Sequence, residues 1–206
     1  MIVAKQRNKF AELENEKVAA IDIDGVISLY PKCWCDFVNE QLMNEPIILA
    51  HKFTDLNQMK TLLGYNTYKR YKKMYRSSGY KRTLPVRENA SRFTKELKKL
   101  GYTILLLTAR PFQEYKNLFK DTIVWLENNN IEYDGIIWGK DKHIKVLQEV
   151  PHLKFMVEDN AYNANLLCKW GYKSFLLNNE YNTKQAEEGV ICVDDLMQIV
   201  EEVKKW

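Results

Sequence analysis

Two aspartates, Asp22 and Asp24, stand on either side of a single isoleucine where the apolar run of KVAAIDIDGVISLY ends, and Gly25 follows at once. A carboxylate resists burial unless a partner compensates its charge. A pair of them at the end of a strand-like run therefore marks a site. Other apolar runs end the same way: ILLLT closes on Thr108, with Ala109 next, and KFMVED closes on Glu158 and Asp159. Between these, GKDKHIK opens a helix and carries Lys140, Lys142 and Lys145.

Four carboxylates cannot crowd together uncompensated. A hard divalent cation resolves the crowding: Mg²⁺ takes carboxylate oxygens, water and substrate phosphate. Asp22, Asp24, Glu158 and Asp159 are its candidate ligands. With a lysine added, the set suits a phosphate monoester. Asp22 can attack as a carboxylate nucleophile and split hydrolysis into two easier steps through an acyl phosphate. Metal and lysine screen the repulsion between two anions. Asp24 can protonate the leaving alkoxide and then activate water. Gly25 allows a sharp turn that brings backbone amides close to the phosphate. Thr108 supplies a short hydroxyl donor to a phosphate oxygen, and Ala109 is assigned to the same phosphate corner. Among the lysines, Lys142 at the helix start is chosen. Lys145 lies one turn later on the same face, and Lys140 lies in the loop. Arg110 is open to two readings, substrate binding or solvent exposure.

These residues need a scaffold that gathers strand ends. VAAIDID, YTILLLT, GIIW, KFMVED, SFLL and VICV read as strands. ENASRFTKELKKLG, DTIVWLENNN, DKHIKVLQEV, DNAYNANLLCKWG and DDLMQIVEEVKKW read as helices between and after them. Alternation of this kind argues for an α/β fold with a parallel sheet covered on both faces. Its ligand site lies at the carboxyl ends of the strands, near the switch in strand order. Residues 31–88 break the rhythm with helix-like pieces and many aromatics. A structureless loop of that length is implausible, so the reading is a catalytic core of residues 1–30 and 89–206 with a helical cap at 31–88.

The four signals IDIDGV, LLLTARP, the helix-opening lysine and MVEDN, in that order, resemble the motifs of the haloacid dehalogenase superfamily of phosphotransferases. The resemblance spans residues 17–178. It implies a Rossmann-like sheet of order 5-4-1-2-3 and a helical cap after the first strand. It also implies a Mg²⁺ held by Asp22, the backbone carbonyl of Asp24, and Glu158 or Asp159. SSGYKRTLPVRENASRFTKELKKLGYTILLLTARP and EDNAYNANLLCKWGY resemble more narrowly the branch near the 5′(3′)-deoxyribonucleotidases, which implies nucleoside monophosphates as substrates.

The 206 residues suffice for one domain with an insertion, and the net charge of +4 permits an anionic substrate without demanding nucleic acid. No apolar run reaches the roughly 18 residues of a membrane span. The charged N-terminus is unlike a signal peptide. The four cysteines then read as reduced thiols of a cytoplasmic protein. In TYKRYKKMYR, Tyr68, Tyr71 and Tyr75 fall on one helical face among basic residues. An amphipathic cap helix with packed tyrosines and solvated lysines is favoured over a nucleic-acid surface. Tyr30 and Trp34 can stack on a base or pack in the core. The leading expectation is a phosphatase of small nucleotides. The competing ones are a phosphatase of polynucleotide ends and a non-catalytic regulatory or nucleic-acid-binding protein.

Overall fold

The computed structural model describes residues 2–4, 17–42, 56–150, 152–179, 182 and 185–206. Among these the strands are β1 (Ile2–Ala4), β2 (Lys17–Asp22), β3 (Tyr102–Thr108), β4 (Gly135–Trp138), β5 (Leu153–Glu158), β6 (Lys173–Leu177) and β7 (Ile191–Val193). The helices are α1 (Lys32–Leu42), α2 (Leu56–Leu63), α3 (Tyr65–Ser77), α4 (Ala90–Lys99), α5 (Asn117–Asn128), α6 (Lys142–Glu149), α7 (Ala161–Lys169) and α8 (Leu196–Val203). A single 3₁₀ turn covers Tyr80–Arg82.

The strands form one sheet of order β1-β4-β3-β2-β5-β6-β7. From β4 across to β7 every pairing is parallel, whereas β1 closes the edge antiparallel to β4. Without the two edge strands the order is the one the resemblance implies. The strands are apolar throughout because both faces of the sheet are covered. Ala19, Ile21, Ile104 and Leu106 enter the larger core cluster, and Val18, Ala20, Leu105 and Leu107 enter the other. The period of two in a strand sorts neighbouring residues to opposite faces. β2 is central, between β3 and β5, and Asp22 is its last residue.

The helices follow from the sequence in the same way. Ala90, Phe93 and Leu97 of α4 are buried at helical spacing. Gly101 ends that segment with φ of 82°, a conformation that glycine adopts without a Cβ clash. Asp195 caps α8 by accepting a hydrogen bond from the Met197 amide at 2.6 Å. Helix α5 begins at Asn117, four residues before the segment the sequence suggested, and buries Leu118 in that extra turn. All regular structure described between β2 and α4 is helical. Residues 43–55 of the expected cap lie outside the described residues.

Candidate active site

Asp22, Glu158 and Asp159 converge because β2 and β5 are parallel neighbours that end together. Each offers a carboxylate oxygen within 4.8 Å of the others. Gly25 makes room for this. Its φ is 100°, and a Cβ there would stand 1.9 Å from Asp159 Oδ2. The turn after β2 is held from outside by Arg87, which donates to the carbonyls of Gly25 and Val26 at 2.8 Å each. Asn182 donates to the carbonyl of Asp159 at 2.6 Å and steadies the turn after β5.

Lys142, the first residue of α6, reaches into this cluster. Its ammonium lies 2.5 Å from Asp22 Oδ1 and 3.2 Å from Glu158 Oε1. Of the three lysines, Lys142 therefore meets the acids. Lys145 turns back to Asp141 at 3.0 Å and to the Trp138 carbonyl, and Lys140 lines the cavity mouth. One ammonium faces two buried carboxylates, and the balance shows in their acidity. Burial pushes the Asp22 carboxyl up to about 7, against the pull of Lys142 and with help from Glu158. Burial likewise raises Glu158, partly offset by Lys142. Burial disfavours the charged form of Lys142, but Asp22 and Glu158 outweigh it and raise its pKa.

Asp24 departs from the expected picture. Arg110 grips it with two bonds, Nη2 to Oδ1 at 2.7 Å and Nε to Oδ2 at 2.9 Å, while Lys81 donates to Oδ1 at 3.1 Å. Burial alone would raise the Asp24 carboxyl, but Arg110 and then Lys81 hold it well below the usual carboxylate range. In this arrangement Asp24 is an ionised proton acceptor. Donation to a leaving group needs the carboxyl to gain a proton first. Arg110 is only 4% exposed, so solvent exposure is not its explanation. Its third bond, to Thr122 Oγ1 at 3.0 Å, anchors it on α5. Lys81 was not singled out from the sequence. Its place is fixed by the next residue: Arg82 donates at 2.6 Å to the fully buried Asp121, which also accepts from Asn117.

Thr108 ends β3 beside Asp22, as the register Asp22↔Leu107 requires. Its hydroxyl oxygen accepts from the Arg110 amide at 3.2 Å, and it is 1% exposed. No helix follows it directly, so it caps none. Ala109, rather than Thr108, lines the cavity at this corner.

The cavity spans about 540 Å³ and is lined by Asp22, Asp24, Lys142, Glu158 and Asp159 from the core and by Tyr30, Lys72, Tyr75, Arg76 and Lys81 from the segment after β2. The tyrosines Tyr68, Tyr71 and Tyr75 of α3 are packed, and Lys69, Arg70 and Lys73 are exposed. Lys72 and Arg76 differ from that pattern: both are half-buried and face the cavity. Trp34 is fully buried against Phe37, Tyr68 and Tyr75, so it is a core residue and not a stacking platform. Cys33 and Cys35 are buried free thiols, and among the described residues the acid cluster at Asp22 is the sole grouping suited to a metal ion.

No family model and no curated protein matches the chain. Solved structures do. A predicted phosphatase from Clostridium acetobutylicum superposes with a TM-score of 0.62 at 14% identity, over 93% of this chain and 99% of that one. A predicted phosphoglycolate phosphatase from Haemophilus somnus gives 0.58 at 14% identity, over 91% and 98%. D,D-heptose 1,7-bisphosphate phosphatase from B. bronchiseptica, complexed with magnesium and phosphate, gives 0.53 at 12% identity, over 92% and 98%. Among the described residues no helix is long and apolar enough to cross a membrane. The strand order and these neighbours together identify the architecture: the chain has an α/β Rossmann-like fold, shared also with a haloacid dehalogenase-like hydrolase from Burkholderia xenovorans.

Proposed function

We propose that the chain is a Mg²⁺-dependent phosphomonoester hydrolase that works through an aspartyl phosphate on Asp22, with small nucleotides as substrates. The observation that carries this reading is the meeting of Asp22, Glu158, Asp159 and Lys142 in one cavity at the carboxyl ends of β2 and β5. The phosphatase neighbours support phosphoester chemistry on this fold.

The donor set fits a hard divalent cation. Three carboxylates share one small space, and neither oxygen of the fully buried Glu158 has a hydrogen bond of good geometry. Asp22, Glu158 and Asp159 would hold the ion, with the Asp24 backbone carbonyl as the resemblance implies. Bound there, Mg²⁺ supplies positive charge that offsets repulsion between the Asp22 carboxylate and a phosphate dianion.

The chain's own residues account for the rest. Asp22 Oδ1 accepts from the Ile23 amide at 2.8 Å and from Lys142, which leaves Oδ2 to attack phosphorus. The bond from phosphorus to the leaving oxygen breaks, and that oxygen takes a proton from Asp24, which must first have gained it, either from solvent or from the water step of the preceding turnover. Water then attacks phosphorus, gives its proton to Asp24, and frees phosphate and Asp22. Lys142 neutralises charge on the transferring group, and Ala109 lines the phosphate corner with Thr108 buried behind it. The segment at 31–88, whose described elements are helical, is read as the cap, because Lys72, Tyr75, Arg76 and Lys81 line the same cavity as Asp22.

The test is phosphate release from p-nitrophenyl phosphate, deoxynucleoside monophosphates, sugar phosphates and 5′- or 3′-phosphorylated oligonucleotides, with Mg²⁺ and in excess chelator. We expect hydrolysis that disappears in chelator and favours mononucleotides. Full activity in chelator would remove the metal. A tenfold advantage for oligonucleotides that fades with salt, about 1.4 kcal/mol of transition-state preference, would favour polynucleotide ends. The exposed Lys69, Arg70 and Lys73 on α3 are what keeps that second reading in the assay.

A further inference from the structure

The cavity holds more positive charge than one phosphate monoester uses. Six basic side chains line it, Lys72, Arg76, Lys81, Arg110, Lys140 and Lys142, against the four carboxylates Asp22, Asp24, Glu158 and Asp159. The carboxylates already occupy half of the bases: Lys142 serves Asp22 and Glu158, while Arg110 and Lys81 serve Asp24. Lys72, Arg76 and Lys140 form no ion pair among the described residues. Lys140 is exposed at the mouth. Lys72 and Arg76 are half-buried, one turn apart on α3, and so project from one helix face.

Their position relative to the chemistry is set by shared rings. Lys81, the partner of Asp24, lies 5.6 Å from the Tyr30 ring centre and 4.8 Å from that of Tyr75. Lys72 lies 5.0 Å and 5.6 Å from the same two rings and donates to the Tyr30 hydroxyl at 3.1 Å. Lys72 and Lys81 thus share the Tyr30 and Tyr75 rings, and Lys81 joins that pair to Asp24. Arg76, one turn after Lys72 on α3, lies over the Tyr115 ring at 5.6 Å. In the proposed mechanism Asp24 serves the leaving oxygen, so this wall is the one a leaving group would meet.

We propose that Lys72 and Arg76 form a subsite for a second phosphate carried on the leaving group, so that the preferred substrate is a small bisphosphate and, within the nucleotide reading, a nucleoside bisphosphate. The proposal rests on the phosphomonoesterase reading above and narrows its substrate class. A phosphate dianion matches two adjacent cations, and a guanidinium offers it two parallel donors. Lys72 also gains from such a ligand. Burial, with Lys81 and Arg76 close by, lowers its pKa to about 7, and a neighbouring anion restores the charged form.

The experiment compares each bisphosphate with the monophosphate that differs by one group. Adenosine 3′,5′-bisphosphate is set against 3′- and 5′-AMP, and fructose 1,6-bisphosphate against fructose 6-phosphate, all in Mg²⁺ with p-nitrophenyl phosphate as the reference. The expected kcat/KM ratio in the wild type is at least about tenfold in favour of the bisphosphate in one pair, the scale of one charge-assisted phosphate contact. It should fall towards one in Lys72→Met/Arg76→Gln, and partway in Arg76→Gln alone. Because each ratio is taken within one protein, loss of folded material cancels, and the wild-type ratio decides even if the double variant does not fold. A wild-type ratio near one with the reference substrate turned over overturns the subsite and leaves the phosphatase reading intact. So does a ratio that survives both variants, a stronger preference for phosphoglycolate, whose second anion is a carboxylate, or a salt-sensitive preference for oligonucleotides. No turnover of any substrate, the reference included, removes the phosphatase reading and the subsite with it.

Discussion

Replacing Lys72 by methionine should stabilise the protein at neutral pH. Lys72 has its pKa lowered from 10.5 to about 7, first by burial and then by Lys81 and Arg76. A lysine with a depressed folded-state pKa binds fewer protons in the folded state than in the unfolded one between the two values. Stability therefore rises with pH from about 7 to about 10.5, and the penalty is largest below 7. At pH 7 the linkage amounts to about 4 kcal/mol as an upper bound. Two effects reduce it. The side chain is half-buried and partly screened by the open cavity. Its ammonium also lies 4.3 Å from the Trp34 ring centre and within 5.9 Å of those of Tyr30, Tyr68 and Tyr75. Cation–π attraction at a desolvated site returns about 2 kcal/mol. Lys72→Met is unbranched and only one heavy atom shorter, and it places a thioether against the same rings. The expected gain is about 1–2 kcal/mol at pH 7, a rise in Tm of roughly 2–8 °C for a domain of this size, shrinking towards zero at pH 10.5. Thermal unfolding of both proteins across that range, in low salt and without phosphate, reads it out. A variant less stable than the wild type at pH 7, or a difference that does not change with pH, would refute the argument and mean that the ring cage outweighs the burial cost.

Asp22→Asn should lower turnover of p-nitrophenyl phosphate by at least about 10³-fold, since an amide is a poor nucleophile. Its Tm in chelator should be unchanged or higher, because Asp22 and Glu158 no longer compete for the single ammonium of Lys142; near-normal turnover rules Asp22 out as the nucleophile. Gly25→Ala should cost about 2 kcal/mol or more and weaken metal-dependent activity. The new methyl needs a strained φ of 100° and stands 2.3 Å from Asp159 Cγ, so the whole carboxylate must move, not only its tip. Unchanged melting and unchanged Mg²⁺ dependence would show that the turn relaxes freely.

Much of the scaffold was legible because burial on both faces writes strands as continuous apolar runs, and all six runs named from the sequence are strands. The edge strand β1 was not. Three residues pairing antiparallel with β4 leave no periodic signal, and their pairing is settled by Ala4↔Gly135 and Ile2↔Ile137 far along the chain. The site divides along the same line. Asp22, Glu158 and Asp159 stand out because a carboxylate at the end of an apolar run violates the pattern around it. Lys142 was preferred to its neighbours by its place at the helix start, and it is the one whose ammonium lies on Asp22 and Glu158. Lys81 carried no local mark. It meets Asp24 across 57 positions, through a turn pinned by Arg82 to Asp121. The helical wheel of α3 sorted the tyrosines correctly and the lysines only in part, since a wheel separates faces but does not tell water from a cavity.

That limit bears on the chemistry of Asp24. Its spacing from Asp22 suggested an acid that gives a proton first and takes one later. The contacts reverse the resting state. Two cations from outside the Asp22 turn, Arg110 after β3 and Lys81 from the segment after β2, hold the carboxyl ionised and aim it. Arg110 is tied to α5 through Thr122, and Lys81 is tied to α5 through Arg82 and Asp121. One helix, which itself reaches the cavity through Leu118, thus holds both partners of Asp24. The position of Asp24 is thus set from α5, and that of Asp22 by β2 and by Lys142 of α6. Under the proposed mechanism these separate supports matter, since misplacing either group by about an ångström costs on the order of 10²-fold in rate.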